Sequence, residues 1–254
     1  MNTYRGLHAR HYDLVYGEKP YSTEARFVDA LLREADAEPG RLLDVACGTG
    51  RHAAQFSALG WDVTGVDHSE SLLEHARRNA PDASFLCQDM RKLDVPGAPF
   101  DAVTCLFDSI GYPLEDAGIV AALSGMRRHA APGSPVAIEF LHAPALLRRA
   151  SPLGVRTWPL SENGAGELVR ISRVDVDESA RTMQVEYELL ELHGDGTYER
   201  WRETQANRFF TTEEMGELLE AAGLRAERFL HAYTEGAEID DETFHVLVVA
   251  RLVG

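Results

Sequence analysis

The sequence is poor in several features that define common protein classes. Its 254 residues include three cysteines, Cys47, Cys87 and Cys105, so neither a disulfide framework nor a Cys-x-x-Cys metal site is expected. It has no run of about eighteen apolar residues, the length that predicts a membrane-spanning helix. The motifs G-x-S-x-G, H-E-x-x-H and the P-loop are also missing, which leaves hydrolases and kinases without support. No metal ion is expected.

Basic residues are scarce as well. The sequence has 25 lysines and arginines against 41 aspartates and glutamates, for a formal net charge of −16. Such a surface repels phosphate backbones and anionic lipids, so neither nucleic acid nor a membrane is an expected partner. The first residues, MNTYRGLHARHYDLVY, carry charges and histidines where a signal peptide has an apolar core. We therefore expect a cytoplasmic protein whose partner is a small molecule.

What the sequence does contain is an alternation of apolar strands and amphipathic helices. The strands RLLDVA, DVTGVD, SFLCQD, FDAVTCLF and SPVAIEFL are separated by helical patterns, as in parallel sheets that are covered on both faces. Two further strands, RAERFLHAY and FHVLVVARL, are joined by an acidic loop without a helix, so the last strand should run antiparallel. We predict an α/β fold with a doubly wound, seven-stranded, mostly parallel sheet.

The pattern changes between residues 143 and 210. Three long strands are separated there by the turn signals DES and GDG, so an antiparallel β insertion is predicted after the fifth strand. The insertion is expected to cap the ligand site or to form the contact surface of a homodimer. Trp158, Trp201 and Arg208 lie in it and either shape a pocket or form the core and rim of the layer.

The segment RLLDVACGTGRHAAQF indicates a ligand site where a buried strand ends and a helix begins. Glycines at such a turn let the backbone approach a ligand closely, and the free N–H groups of the helix favour an anionic group. GTGRHA fits the fingerprint G-x-G-x-x-A, and Asp67 ends the next strand, where an acid accepts hydrogen bonds from ribose hydroxyls. The loop and the acid predict a ligand that contains adenosine.

Two other acids narrow the choice of ligand. Asp44, two residues before Ala46, would repel the pyrophosphate of a dinucleotide but suits an ammonium or a sulfonium group. Asp89 and Met90 end the third strand, where the acid can bind the adenine amino group and the thioether can pack on the adenine ring.

The motifs DVACGTG, GVDHS, QDM and FDAVTCLFDSIGY together resemble the successive motifs of class I S-adenosylmethionine (SAM)-dependent methyltransferases. The resemblance covers residues 40–142 closely and the last forty residues in outline. It implies a Rossmann-like core over 40–142, SAM as the cofactor and S-adenosylhomocysteine as its product. Around that core, residues 1–39 would form an N-terminal lid and first helix, 143–210 the insertion, and 211–254 the closing helix and strands. One departure is Ala46, where the family usually has its first glycine.

The resemblance also implies roles for individual residues. Asp44 and the backbone of Ala46, Gly48 and Gly50 would line the methionine end of SAM. The ribose and adenine would be held by Asp67, His68, Asp89 and Met90, and Phe107 would lie near the transferable methyl group. For Met90 and Phe107, plain packing explains the residue equally well.

The N-terminal segment RHYDLVYGEKPYSTEA is similar to the lid of N,N-dimethyltransferases that act on amino sugars. In that resemblance Tyr12 and Tyr21 would reach the carboxylate and methyl region of SAM, and Arg26 would pair with the carboxylate. Half-buried packing is the alternative role for these tyrosines. The sugar enzymes have a basic residue directly before the third tyrosine of the lid, whereas this chain has Pro20 there and Lys19 one residue earlier.

Methyl transfer to an amine requires a neutral nitrogen, so a group that accepts its proton is of interest. His142, Tyr12 and Tyr112 are the catalytic candidates, with His142 placed at the sheet edge where ligands bind. Further candidates for this role are Asp108, Glu139 and His231.

The expected activity is methyl transfer from SAM to a nitrogen or oxygen of a small molecule, such as an amino sugar or another natural-product intermediate. Three alternatives remain open. A nicotinamide-dependent oxidoreductase shares the glycine loop and the acid after the second strand, although Asp44 argues against it. A cofactor-binding module without turnover would keep the same loop. A reaction in which the sulfonium charge promotes cyclisation would keep the same cofactor.

Overall fold

A computed structural model describes residues 4–148, 153–161 and 166–253. In chain order the helices are α1 Gly6–Arg10, α2 Tyr12–Val15, α3 Tyr21–Glu34, α4 Arg51–Ala58, α5 Glu70–Asn79, α6 Asp116–His129, α7 Ala143–Arg148 and α8 Thr212–Ala221. The strands are β1 Arg41–Val45, β2 Asp62–Asp67, β3 Ser84–Cys87, β4 Ala102–Cys105, β5 Val136–Leu141, β6 Gly154–Pro159, β7 Gly166–Asp177, β8 Thr182–His193, β9 Tyr198–Arg208, β10 Leu224–His231 and β11 His245–Leu252.

Seven strands form one sheet in the order β10-β11-β5-β4-β1-β2-β3. Strands β1 to β5 pair in parallel, and β11 runs antiparallel to both of its neighbours, β5 and β10. The predicted doubly wound, mostly parallel fold with a reversed last strand is therefore confirmed. The chain moves outward from β1 in both directions, so the carboxyl ends of β1 and β4 flank the crevice where such sheets bind ligands.

Helices cover both faces of this sheet because its strands are apolar on both sides. In β1, Leu42 packs with residues of α3 and α4, whereas the next residue, Leu43, packs with residues of α6 and α8. Successive side chains of a strand point to opposite faces, so a continuous apolar run buries into two separate cores.

The second sheet is antiparallel, in the order β6-β7-β8-β9, and confirms the predicted insertion after the fifth parallel strand. Helices α1 and α2, which the sequence pattern did not reveal, pack against it through Leu7 and Val15, in contact with Leu168 and Leu189. Trp158 and Trp201 are partly buried against the same cluster. The two tryptophans therefore belong to the packed layer rather than to a ligand pocket.

The N-terminal helices also contact the glycine loop. The carboxylate of Asp13 in α2 accepts hydrogen bonds from Thr49 Oγ1 and from Asn79 Nδ2, both at 2.7 Å. This acid connects the N-terminal helices to the loop after β1 and to the end of α5. None of the described helices is long and apolar enough to cross a membrane.

Candidate functional site

A cavity opens at the carboxyl ends of β1, β2, β3 and β4, beneath the N-terminal helices. We call it the first cavity. Most of the predicted cofactor residues line it, and two of the listed residues, Tyr12 and Tyr112, are catalytic candidates: Tyr12, Tyr21, Asp44, Ala46, Gly48, Asp67, His68, Asp89, Met90, Phe107 and Tyr112. The strand ends thus bring together residues that are up to 100 positions apart in the chain.

The loop after β1 exposes its backbone to this cavity. Ala46 and Gly48 both have positive φ angles, 59° and 55°, so the chain turns sharply at each of them. A side chain at Gly48 would meet no protein atom closer than the hydroxyl of Tyr12, at 4.0 Å from the Cβ position. Because that space belongs to the cavity, the backbone at Gly48 can approach a ligand directly.

Gly50 has a different role from the one expected of it. A Cβ at this position would lie 3.0 Å from Ala76 Cβ and 3.1 Å from Phe85 Cζ, so the missing side chain allows α4, α5 and β3 to pack closely. Gly50 is not among the residues that line the first cavity. The structure therefore gives Gly50 a packing role, whereas the sequence analysis predicted a ligand contact.

Asp44 offers the first cavity a carboxylate oxygen without a partner. Its Oδ1 accepts a hydrogen bond from Thr104 Oγ1 at 2.9 Å, and its buried Oδ2 has no hydrogen-bond partner among the residues that the structure describes. Burial raises the pKa of Asp44 to about 7, the Thr104 hydrogen bond opposes the rise, and the charge of Asp67 adds to it. A buried carboxylate oxygen without a hydrogen bond costs free energy unless a bound ligand donates one to it. The ammonium group of SAM fits this requirement.

The affinity for S-adenosylhomocysteine should therefore depend on pH through Asp44. Below pH 7 the ligand ammonium stays charged while Asp44 takes up a proton, so we expect the dissociation constant to rise by up to about tenfold per pH unit. Above pH 7 the dissociation constant should no longer change with pH. Calorimetric titrations from pH 5.5 to 8.5 measure this dependence. The Asp44→Asn variant should bind S-adenosylhomocysteine weakly, and its dissociation constant should change much less with pH. If the dissociation constants of the variant and the wild type change with pH in parallel, the role of Asp44 is contradicted.

Asp67 lies at the end of β2 and is 6% exposed. Its Oδ2 accepts a hydrogen bond from the backbone N–H of Gly48 at 3.0 Å, and its Oδ1 accepts one from Ser69 at 2.8 Å. Burial raises the pKa of Asp67, while these backbone donors oppose the rise. Each carboxylate oxygen has a second lone pair, so the group can still accept hydrogen bonds from two ribose hydroxyls.

Asp89 lies beyond β3 and pairs with Arg91. The guanidinium Nε of Arg91 lies 2.9 and 3.0 Å from the two carboxylate oxygens. Hydrogen bonding to Arg91 lowers the pKa of Asp89 to about 2, so the carboxylate is ionised at neutral pH. An adenine amino group would share this acceptor with Arg91, a partner that the sequence analysis did not assign.

The basic residue in the first cavity near the methionine end is Arg51, not Arg26. Arg26 is exposed on α3 and is not among the lining residues. The buried face of α3 is instead formed by Tyr21, Ala25 and Val28, and Arg26 points away from it. Arg51 begins α4 directly after the glycine loop, with its guanidinium 5.2 Å from the centre of the Tyr21 ring. The sequence could have indicated Arg51, because this residue directly follows the glycine loop at the start of the predicted helix.

A second cavity adjoins the first and shares Tyr4, Phe107 and Tyr112 with it. Its remaining walls come from the antiparallel sheet, the turn after β4 and the start of β11, and include Asp108, Val185, Tyr187, Gln205, Asn207 and His245. A ligand in this cavity would lie beside Phe107, the residue expected near the methyl group of SAM. The antiparallel insertion therefore forms part of the wall of the second cavity.

Of the three catalytic candidates, only the two tyrosines reach these cavities. Tyr12 lines the first cavity, and the hydroxyl of Tyr112 lies 2.8 Å from that of Tyr4. Burial raises the pKa of Tyr12 and of Tyr112, so both are neutral hydrogen-bonding groups near pH 7. His142 lines neither cavity, because its buried ring Nδ1 lies 3.0 Å from the carbonyl oxygen of Thr243. The predicted substrate contact of His142 is thus replaced by a structural hydrogen bond.

Known proteins are similar to this chain in sequence and in fold. A family model described as a methyltransferase domain matches residues 42–133. The dTDP-3-amino-3,6-dideoxy-alpha-D-glucopyranose N,N-dimethyltransferase of Streptomyces fradiae is 34% identical over 88% of this chain and 86% of its own length. The dTDP-3-amino-3,4,6-trideoxy-alpha-D-glucopyranose N,N-dimethyltransferase of Streptomyces venezuelae is 40% identical over 52% of this chain and 56% of its own length.

A solved structure extends the match to the whole fold. The SAM-bound amino pentose methyltransferase of Micromonospora echinaspora has a TM-score of 0.75 and 26% identity, covering 98% of each chain. The nicotinamide-dependent alternative finds no support among these relatives. The chain belongs to the class I SAM-dependent methyltransferases of the small-molecule type, is similar to the amino-sugar N,N-dimethyltransferases, and moves a methyl group from SAM to a nitrogen or oxygen of a small molecule.

Proposed function

We propose that this enzyme methylates the amino group of a sugar that is linked to a nucleoside diphosphate, and that it adds two methyl groups in succession. The observation that carries the proposal is the second cavity, which adjoins the expected methyl position at Phe107 and is lined by several hydrogen-bonding side chains. These are Tyr4, Tyr112, Tyr187, Gln205 and Asn207. Such groups suit the hydroxyls and amine of a sugar, and the relatives named above act on dTDP-linked amino sugars.

The side chains would act mainly by holding the acceptor in line with the methyl group. SAM supplies an electrophilic methyl group on a sulfonium, and the thioether that leaves needs no acid. Orientation of the two reactants alone can lower a barrier by roughly 7–11 kcal/mol. Burial raises the pKa of Tyr4 and Tyr112, so these hydroxyls remain neutral partners for the sugar.

A diphosphate needs a cation in a chain with a net charge of −16. Arg170 on β7 is suited to this role because its guanidinium lies 5.7 Å from the ring centres of both Tyr16 and Tyr187, which line the second cavity. Its Nε is buried and has no hydrogen-bond partner in the described residues. We assign the diphosphate to this side of the cavity as part of the proposal.

The test is a methylation assay with SAM and dTDP-3-amino-3,6-dideoxy-alpha-D-glucopyranose, analysed by mass spectrometry. We expect products that carry one and then two added methyl groups on nitrogen. The matched control is the same nucleotide sugar with a hydroxyl in place of the amine, which should not react. Absence of turnover on the amine, or methylation of the hydroxyl compound at a similar rate, would contradict the proposal.

Two expectations from the sequence concern the protein as a whole. Pairing of two subunits through the antiparallel sheet stays a prediction, and sedimentation velocity at micromolar concentration measures it directly. The cytoplasmic location likewise stays a prediction of the sequence.

A further inference from the structure

Two consecutive residues after β4 adopt a left-handed backbone conformation. Phe107 has a φ of 56° and Asp108 a φ of 57°. This conformation is unfavourable for residues other than glycine and persists where the surrounding structure enforces it, which is common at functional sites. Here two side chains enforce it. Glu139 on β5 accepts a hydrogen bond from the Phe107 N–H at 2.6 Å, and Asn207 on β9 donates one to the Asp108 carbonyl at 3.0 Å.

The strained turn places Asp108 in the wall of the second cavity. The residue is 6% exposed, and its Oδ1 lies 3.0 Å from Nδ1 of His245 at the start of β11. Within the described part of the chain, its other oxygen, Oδ2, makes no hydrogen bond. A buried carboxylate with one free oxygen, beside the expected methyl position at Phe107, is suited to bind an ammonium group.

His245 stabilises the charge on Asp108. Burial disfavours the protonated ring, but the nearby carboxylates of Asp108 and Glu139 outweigh that effect and raise the pKa of His245 to about 9. The ring is therefore a cation at neutral pH, and the 3.0 Å contact is a charge-assisted hydrogen bond. This pairing places a positive charge directly beside the Asp108 carboxylate.

The other ionisable groups that face this pair come from different elements of the fold. Glu139 lies 3.4 Å from His245 Nδ1 and accepts a hydrogen bond from the Tyr233 hydroxyl at 2.5 Å. Burial and the charge of Asp108 raise the pKa of Glu139, which favours its neutral form. Lys19 in the lid contributes positive charge to Glu139 and His245, and Tyr112 faces Asp108. Of the two carboxylates beside His245, Asp108 is the one that lines the second cavity.

We propose that Asp108 binds the amino group of the acceptor and takes its proton, and that His245 is the positioning residue that holds Asp108 Oδ1 and directs Oδ2 to the acceptor. The inference rests on the proposed N-methylation. An ammonium would transfer one proton to Asp108 Oδ2 and become a neutral amine. The nitrogen lone pair then forms the N–CH₃ bond while the C–S bond breaks and its electron pair stays on sulfur. The product is a methylated ammonium and S-adenosylhomocysteine, and the proton on Asp108 passes to solvent.

This role also accounts for a preference for nitrogen over oxygen. A carboxylate can bind an ammonium and accept its proton, whereas a sugar hydroxyl is far too weak an acid to give up its proton to a carboxylate. The atoms of Asp108, Glu139 and His245 lie within 4.8 Å of one another, a spacing that could also surround a cation. The direct hydrogen bond between Nδ1 and Oδ1 favours the ion pair instead.

Asp108→Asn tests the proposal with little change of shape, because asparagine tolerates the left-handed conformation. In the amino-sugar assay we expect kcat to fall by about 100-fold or more, the range found when a proton acceptor is removed. The affinity for S-adenosylhomocysteine should stay within about twofold, since Asp108 lines only the second cavity. Asp241→Asn, at an exposed acid in the same region, is the matched control and should leave both values unchanged.

His245→Gln separates positioning from a purely structural role. His245→Gln removes the positive charge beside Asp108, so the acidic limb of the kcat/KM profile should move to higher pH. A uniform loss of rate with an unmoved limb would contradict the role of His245. Loss of wild-type activity in EDTA and its return with Mg²⁺ or Zn²⁺ would show a metal site instead and overturn the proposal.

The outcomes distinguish this inference from the function on which it rests. If the wild type methylates the amino sugar and Asp108→Asn does so with unchanged kcat and pH profile, the role of Asp108 is wrong and the proposed function stands. If the wild type does not methylate the amino sugar, the proposed function is wrong and the inference is rejected with it.

Discussion

Asp67→Ala is expected to weaken the binding of S-adenosylhomocysteine by about 100-fold or more. The carboxylate is buried at the end of β2, and each hydrogen bond to a charged group contributes about 1.5–3 kcal/mol. Loss of two ribose hydrogen bonds therefore costs about 3 kcal/mol or more, which corresponds to at least about 100-fold in the dissociation constant. The same substitution removes the acceptor that holds the Gly48 N–H, so the glycine loop should also become less ordered.

Isothermal titration calorimetry measures this effect, with circular dichroism to establish that the variant is folded. Asp82→Ala, at an exposed acid before β3, is the matched control and should bind like the wild type. Asp67→Asn should show an intermediate loss because it keeps one acceptor oxygen. An Asp67→Ala affinity within threefold of the wild type would show that Asp67 does not hold the ribose.

Phe140→Ala is expected to lower the free energy of unfolding by about 3–5 kcal/mol. Phe140 on β5 is fully buried, and its ring centre lies 5.9 Å from that of Phe210 and 6.3 Å from that of Phe229. Truncation removes these ring contacts and leaves a cavity between the sheet and α8. The neighbouring residue Glu139 accepts a hydrogen bond from the Phe107 N–H in the strained turn, so β5 contributes residues both to the apolar core and to the candidate site.

Equilibrium unfolding in urea measures this change in the free energy of unfolding. Phe140→Leu is the control, because leucine keeps most of the apolar volume, and its free energy of unfolding should fall by about 1.5 kcal/mol or less. A loss below 1 kcal/mol for Phe140→Ala would mean that the core around β5 can close around the missing ring.

The parallel core could be predicted because its signals are local. Each strand is a short apolar run, and glycine, proline or polar residues mark the turns between elements. An acid at the end of a parallel strand must lie at the edge of the sheet where ligands bind. Asp44, Asp67 and Asp89 all line the first cavity for this reason. Arg26 could have been excluded on similar grounds, since it follows Ala25 on the helix and falls outside the buried stripe of α3.

The second cavity could not be predicted because its walls come from distant segments. Asp108 and His245 are 137 residues apart, and their contact depends on how β11 returns beside β5. The antiparallel pairing of β11 with β5 also brings the Thr243 carbonyl to the ring of His142, which therefore does not face either cavity. Strand-end position alone, which places the three acids at the first cavity, gave the wrong expectation for the position of His142.

The two N-terminal helices were missed for a related reason. α1 and α2 are only five and four residues long, too short for an apolar period to identify them. Their conformation depends on contacts with the antiparallel sheet and on Asp13, which joins them to the glycine loop.

The central claim is that Asp44, Asp67 and Asp89 surround one molecule of SAM, and the crystal structure of the S-adenosylhomocysteine complex tests it most directly. We expect the ligand ammonium on Asp44 Oδ2, the ribose hydroxyls on Asp67 and the adenine amino group beside Asp89, with the sulfur facing Phe107. A ligand bound elsewhere, or one whose ammonium leaves Asp44 Oδ2 without a partner, would contradict this account.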